Sequence, residues 1–233
     1  MIYFNGTALE RVAPVMVEDI RIAPVERTMT ARERPIRPGA QFVRTKDGGR
    51  SVTISFGLLI DDRDARQSAL MAIARWAGSE QEGRLILPHR NGQFLSCICT
   101  KLPEPSMRQW WESNLSITFT TYDNPFFTSV AERAVGCGTQ LVTGGDAMPL
   151  MRIEATLIDE SSNLSYSNGT QTMQFSGVPA GDLVIDLNRQ TATLDGDSIM
   201  DKFVFGGDFI TPRVGAQTIT GTGTVLWRER WVG

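Results

Sequence analysis

From Val52 to Ile60 the chain places an apolar residue at every second position. Val52, Ile54, Phe56, Leu58 and Ile60 alternate with Ser51, Thr53, Ser55, Gly57 and Leu59. Successive side chains of a strand point to opposite faces, so a period of two over this length predicts a strand with one buried face. The same period returns at Leu115, Ile117, Phe119 and Thr121, at Met151, Ile153, Ala155 and Leu157, and at Leu183, Ile185 and Leu187. Val225, Trp227, Glu229 and Trp231 are expected to share one side of a last strand. Turn residues separate these runs: Asn91-Gly92, Asn168-Gly169, Asn188-Arg189 and Asp195-Gly196. Short strands with turn signals at such spacing describe a sandwich or barrel.

One segment breaks the pattern. Ala69, Ile73, Trp76 and Ala77 fall on a single helical stripe, with Asp62 or Asp64 as N-cap and Gly78 as the residue past the end. The fold class expected is therefore mostly β with one α-helix. An N-terminal β-sandwich or barrel-like domain carrying the helix would precede a second β-sandwich. A length of 233 residues suits two domains. The aperiodic, Gly-rich stretch 128–148 is the place for a boundary, which divides the chain into 1–133 and 134–233. Weaker strand signals lie at Val15, Val17, Ile20 and Ile22, at Leu85–Leu87 with a return at Phe94–Thr100, and at Phe203–Phe205. Residues 27–50 read as an extended excursion or long hairpin turning at Asp47-Gly48-Gly49.

The formal net charge is −3, which argues against a free nucleic-acid-binding domain and against sequence-specific nucleic acid as a partner. The charge is uneven. Arg27, Arg32, Arg34, Arg37, Arg44, Lys46 and Arg50 face only Glu26, Glu33 and Asp47, so this segment carries +4 and the remainder −7. Such an imbalance suits subunit contacts, and equally a solvated loop. The paired Trp110 and Trp111 precede a strand in which neighbours point opposite ways, so one ring is expected at an exposed or interfacial position. A ring packed under a loop is the competing reading.

Candidate chemistry is sparse. His89 is the single histidine and has no nearby ligand to form a metal site. Asp61, Asp62 and Asp64 oppose a helix dipole. Asp195-Gly196-Asp197, with Asp201, lacks calcium-loop spacing and reads as a hairpin turn. Gly221-x-Gly223 sits in a Thr-rich strand with no helix after it, which does not make a phosphate cradle. Cys97, Cys99 and Cys137 have neither zinc nor redox spacing and read as buried structural thiols. No catalytic residue, metal or cofactor is assigned. The first residues lack a basic leader and an apolar core, and no apolar run is long enough for a span, so a soluble protein made in the host cytoplasm without a membrane anchor is expected.

The order of segments resembles the distal tail proteins (Dit) of long, non-contractile-tailed bacteriophages. The resemblance rests on Gly39 to Arg44, the strand from Arg50, the stripe Ala69 to Trp76, Arg84-Leu-Ile-Leu87, and the closing strand Ile117-Thr-Phe119 before Tyr122-Asp123-Asn124-Pro125-Phe126. In the second half it rests on Pro149 leading into Met151–Leu157, then Asn168-Gly169, Gly181–Asp186, Ala192–Gly196 and Arg228–Trp231. It implies a galectin-like C-terminal sandwich and a homo-oligomeric ring, typically a hexamer, at the virion tail tip. The implied partners are the tail tube protein, the tip hub and the tape-measure protein. The basic segment would reach a neighbouring subunit, making Arg27, Arg32, Arg34, Arg37, Arg44, Trp110 and Trp111 the candidate contact residues. Galectins bind sugars through a His-x-Asn-x-Arg strand and a stacking Trp followed by Glu. Here the histidine lies in the other half, although Trp227 and Glu229 are present. The competing functions are a carbohydrate-binding host-adhesion module, a tail-tube protein and a virion-associated hydrolase.

Overall fold

The computed structural model describes residues 1–33, 40–103, 115–159 and 162–233, the side chains of 31–33 and 40–46 excepted. The chain divides into two compact units, Met1–Phe127 together with Val232–Gly233, and Thr128–Trp231.

The first unit contains β1 (Tyr3–Phe4), β2 (Thr7–Ala8), α1 (Leu9–Val12), β3 (Val15–Ile22), β4 (Arg27–Glu33), β5 (Ala40–Asp47), β6 (Ser51–Leu58), α2 (Arg63–Ala77), β7 (Gly83–Ile86), β8 (Gln93–Lys101) and β9 (Leu115–Thr120). Its main sheet has the order β2-β1-β7-β8-β9-β6-β3, with antiparallel neighbours throughout. The alternation read from the sequence appears as burial: Val52, Ile54 and Phe56 on β6 and Leu115, Ile117 and Phe119 on β9 are buried. Strand β6 stops at Leu58, two residues short of the apolar run, and Leu59 is 64% exposed.

Helix α2 begins where expected. The Asp62 carboxylate accepts from the Ala65 amide at 2.7 Å, and Ala69, Ile73 and Ala77 are buried. Trp76 completes an aromatic cluster with Phe4 (5.8 Å between centroids) and Phe119 (6.1 Å), and Phe4 lies 5.0 Å from Phe119. The indole N–H donates to the Thr7 carbonyl at 3.0 Å, so the polar end of the ring is satisfied while its body fills the core. Gly78 follows the helix without the left-handed conformation of a Schellman cap (φ −77°); a Cβ there would lie 2.7 Å from the Ala74 carbonyl oxygen, so close approach selects glycine.

The structure departs from the local sequence pattern at three places in this unit. The phase of β3 slips between Val17 and Ile20 because an extra residue, a β-bulge between Val17 and Asp19, re-aims the strand against β6. Asn91-Gly92 does not close a two-residue hairpin; the link from β7 to β8 passes through a 3₁₀ turn, Pro88–Arg90. The excursion at 27–50 is a hairpin, but Asp47-Gly48-Gly49 is its base and not its turn. Strands β4 and β5 pair from Arg27↔Asp47 to Glu33↔Ala40. The short α1 carries no apolar stripe long enough to announce it.

The second unit follows β10 (Phe127–Ser129) and contains β11 (Arg133–Gly136), β12 (Gln140–Thr143), β13 (Ala147–Leu157), β14 (Ser162–Ser167), β15 (Thr172–Val178), β16 (Gly181–Asp186), β17 (Thr191–Leu194), β18 (Asp197–Ser198), β19 (Gly215–Thr218) and β20 (Thr224–Trp231). One layer runs β18-β17-β16-β13-β20-β11. The other is made from the pairs β14-β15 and β12-β19, linked by the Ser167↔Thr220 bridge. Met151, Ile153, Leu183, Ile185, Val225 and Trp227 from the first layer meet Leu164, Tyr166, Met173, Phe175 and Ile219 in one buried core. This is a sandwich of alternating inward faces. Phe203–Phe205 is not a strand: it follows a 3₁₀ turn at Met200–Lys202, and Phe203 packs on Phe175 and Phe209 at 5.4 and 5.0 Å. Gly221 and Gly223 lie in the bend before β20, where a Cβ on Gly221 would strike the Tyr166 ring. On β20 burial follows Val225 and Trp227 and then shifts to Arg230, so the expected single side does not persist to Trp231.

A methyl group at Gly49 would sit 2.3 Å from the Thr121 carbonyl oxygen, whereas one at Gly48 would meet Glu26 at 3.3 Å. Gly49→Ala is therefore expected to destabilise the protein by roughly 1–3 kcal/mol in urea unfolding and Gly48→Ala by much less. Equal effects would contradict the close approach.

Candidate subunit-contact surface

Strands β3 and β6 are antiparallel neighbours as far as Ile22↔Val52, and the chain between them is drawn out into the β4–β5 ribbon. Backbone hydrogen bonds fix the base: Ala23 N–H to Ser51 at 2.8 Å, Gly48 N–H to Glu26 at 2.6 Å and Glu26 N–H to Gly49 at 3.3 Å. Beyond the base, β4 and β5 form a two-stranded sheet of their own among the described residues. Strand β4, with seven residues, extends roughly 23 Å at the usual rise of a strand. A bulge between Thr30 and Ala31 adds twist. Met29 is 73% exposed on this ribbon.

Arg27 opens β4 opposite Asp47, and its Nε donates to the Asp47 carboxylate at 3.1 Å. Both groups are solvated, so this pair adds little stability. Arg32 stands opposite Gln41 and Arg44 opposite Thr30 in the ladder. Arg34, Arg37, Trp110 and Trp111 lie outside the described residues. Arg50, counted with the basic segment, is buried: its guanidinium lies 5.4 Å from the Phe127 ring centroid and donates to the Val232 carbonyl. Arg90 covers Phe127 at 4.1 Å. Burial withdraws one positive charge from the surface of the basic segment. The aromatic ending of the Asp123-Asn124-Pro125 group thereby becomes a packing element of the first unit.

The other candidate groups do not assemble a reaction centre. His89 is exposed on the 3₁₀ turn. Burial, then the charges of Glu82 and Cys99, push the Cys97 thiol up to about 12, and burial also raises Cys99 and Cys137, so none of the three is a ready thiolate at neutral pH. Burial, with Cys137 nearby, pushes Tyr166 up to about 12. Asp195 (φ 52°) and Gly196 (φ 93°) form the left-handed pair of a tight turn between β17 and β18, as the sequence predicts. Among the described residues no group of three His, Cys, Asp or Glu could hold a metal ion, and no helix is long and apolar enough to cross a membrane. Trp227 is 6% exposed, and Glu229 accepts from the Gly144 amide at 3.1 Å and pairs with Arg133 at 3.0 Å. Both are engaged in packing and pairing, so Trp227 presents no face for a sugar ring.

Sequence pattern gave no sign of a charge network in the second unit. Arg152 reaches Glu132 through two nitrogens at 2.7 and 3.0 Å and Glu154 at 2.6 Å, while Arg228 reaches Glu132 at 3.3 Å. Residues from the segment before β11, from β13 and from β20 meet here, which only the sheet order brings about.

No protein-family model matches the chain, and no curated protein sequence does. Solved structures do. The crystal structure of the Dit protein of phage SPP1, described as a paradigm of the hub adsorption apparatus in phages that infect Gram-positive bacteria, is similar over 98% of this chain and 98% of that one. The TM-score is 0.73 and the identity 13%. Chains of the phage P2 baseplate in its activated conformation, with calcium and with strontium, give TM-scores of 0.49 and 0.46 at 6% and 7% identity, over 94% and 92% of this chain and 91% and 89% of those chains. The chain has the mostly β fold of the distal tail protein of SPP1, and the likeness extends through both units.

Burial acts to raise the Glu132 carboxyl, but the hydrogen bonds and charge of Arg152 and then of Arg228 outweigh it and hold it below its usual 4.5. A depressed carboxylate stabilises the fold above its unfolded value and loses that contribution as pH falls through the folded one. Glu132→Gln is expected to lower Tm at pH 7 and to narrow its gap to the parent protein below about pH 4. A pH-independent gap would remove the network from the account of stability.

Proposed function

We propose that the chain is a structural component of a phage tail tip: a ring-forming protein, as a hexamer, that joins the tail tube to the tip hub, faces the tape-measure protein and serves as a platform for adhesion components. The observation that carries this reading is the likeness to the SPP1 hub protein along the whole length of both chains. The β4–β5 ribbon supports it on physical grounds. A two-stranded hairpin is marginal by itself in water, and among the described residues neither of its outer edges pairs with a further strand. Contact with a neighbouring copy would cover those edges, and its arginines would set register against acidic surface. Ring closure also needs two different patches on each subunit, one of which the ribbon supplies. In this reading the first unit builds the ring, and the sandwich is an outward adaptor of galectin-like type.

A carbohydrate-binding module is the less favoured alternative because Trp227, the residue a sugar would stack on, is buried. A tail-tube protein is disfavoured by the complete second sandwich. Light scattering and electron microscopy of the purified protein, alone and with its tube protein, test the proposal: rings are expected. A monomer at every concentration, with no ring beside the tube protein, would overturn it. Reversal of Arg32, Arg34 and Arg37 to Glu is expected to abolish ring formation while leaving the monomer's circular dichroism and Tm unchanged; intact rings would clear the basic segment of that role.

A further inference from the structure

The sequence contains three Asn-Gly pairs, Asn5-Gly6, Asn91-Gly92 and Asn168-Gly169. Asn-Gly is the dipeptide most open to spontaneous loss of the side-chain amide, because glycine leaves its own backbone nitrogen unshielded. The reaction needs that nitrogen free and the carboxamide able to swing onto it. The three pairs share the same chemistry, so the fold decides among them.

Two are held. The Asn5 side-chain oxygen accepts from the Arg84 amide at 3.0 Å, and the Asn5 amide donates to the Arg84 carbonyl at 3.1 Å. The Asn168 side-chain oxygen accepts from the Thr170 and Gln171 amides at 3.0 and 2.8 Å and from the Thr170 hydroxyl at 3.0 Å, while its amide nitrogen donates to Gln171 at 3.4 Å. The nitrogen that would attack there, that of Gly169, already donates to the Ser167 hydroxyl at 3.1 Å. Asn91 differs in each respect. It follows the 3₁₀ turn, both it and Gly92 are exposed, and among the described residues no hydrogen bond engages its side chain or the Gly92 amide. Gly92 has φ +89° and nothing within 4 Å of where a Cβ would be.

The geometry points to Asn91 as a site of spontaneous modification, converting to aspartate and isoaspartate, with Asn5 and Asn168 protected by the fold. The Gly92 nitrogen bonds to the Asn91 Cγ, the Cγ–Nδ2 bond breaks, and ammonia leaves with the proton that the Gly92 nitrogen gives up. Water then opens the cyclic imide at either carbonyl. Opening at one yields aspartate; opening at the other yields isoaspartate, which routes the main chain through an added methylene in the β7–β8 link. Either product sets a new carboxylate beside Arg90, which covers Phe127 at 4.1 Å and donates to Gln93 at 3.3 Å.

The test is peptide mapping by mass spectrometry after the full, folded chain has been held in mildly alkaline buffer. The Asn91 peptide is expected to gain about one dalton, and to do so roughly tenfold or more faster than the Asn5 and Asn168 peptides, whose hydrogen bonds must open first. In guanidinium chloride the three rates are expected to converge. Ser167→Ala, which frees the Gly169 N–H, is expected to raise the Asn168 rate in the folded protein. Reaction at Asn5 or Asn168 as fast as at Asn91 in the native chain would overturn the assignment, as would rates that stay apart once the chain is unfolded. No rise in Ser167→Ala would overturn the explanation given for protection.

Discussion

Strand β6 is paired along both edges, by β3 and by β9, and it buries Val52, Ile54 and Phe56 on one face. A strand in that position cannot slip by one residue without turning its whole apolar set outward, so its register is fixed from two sides. The rest of the first unit is referred to that register. Thr121 returns beside Arg50, whose amide donates to its hydroxyl at 2.9 Å. Gly49 is glycine because the Thr121 carbonyl leaves no room for a Cβ. Strand β3 accommodates an extra residue through its bulge. The ribbon of β4 and β5 leaves the main sheet at the point where the β3–β6 ladder ends, so the base of this separate two-stranded sheet is set by the β3–β6 pairing.

The groups that first suggest chemistry are absorbed by the same demand for packing. Acids cap α2 or close turns. Cys97 is buried and Cys99 and Cys137 are half-buried, not buried as the sequence suggests, and this burial disfavours the charged form of all three thiols. Arg50 lies on an aromatic ring, and Trp227 fills the sandwich core. Among the described residues the β4–β5 ribbon pairs with no further strand, and Met29 on it is largely exposed. An unpaired strand edge is a hazard that folded proteins ordinarily cover or blunt.

The fold likeness to the SPP1 protein spans 98% of the chain at only 13% identity. A pattern of inward and outward residues survives substitution more easily than any particular side chain, because many apolar sets of similar volume fill one core. That is also why the order of segments in the sequence can carry a resemblance.

The sequence by itself determined the alternating strands, the helix with its Asp62 cap and apolar stripe, and the left-handed turn at Asp195-Gly196, since each depends on neighbours a few residues away. It did not determine where the basic hairpin turns. Asp47-Gly48-Gly49 has the composition of a turn, but glycine was required there for approach to Thr121, a residue far along the chain. The bulge in β3, the burial of Arg50 and of Trp227, and the meeting of Glu132 with Arg152 and Arg228 were likewise decided by the tertiary structure. Each depends on which strands become neighbours, and strand pairing is a long-range choice that local periodicity does not encode.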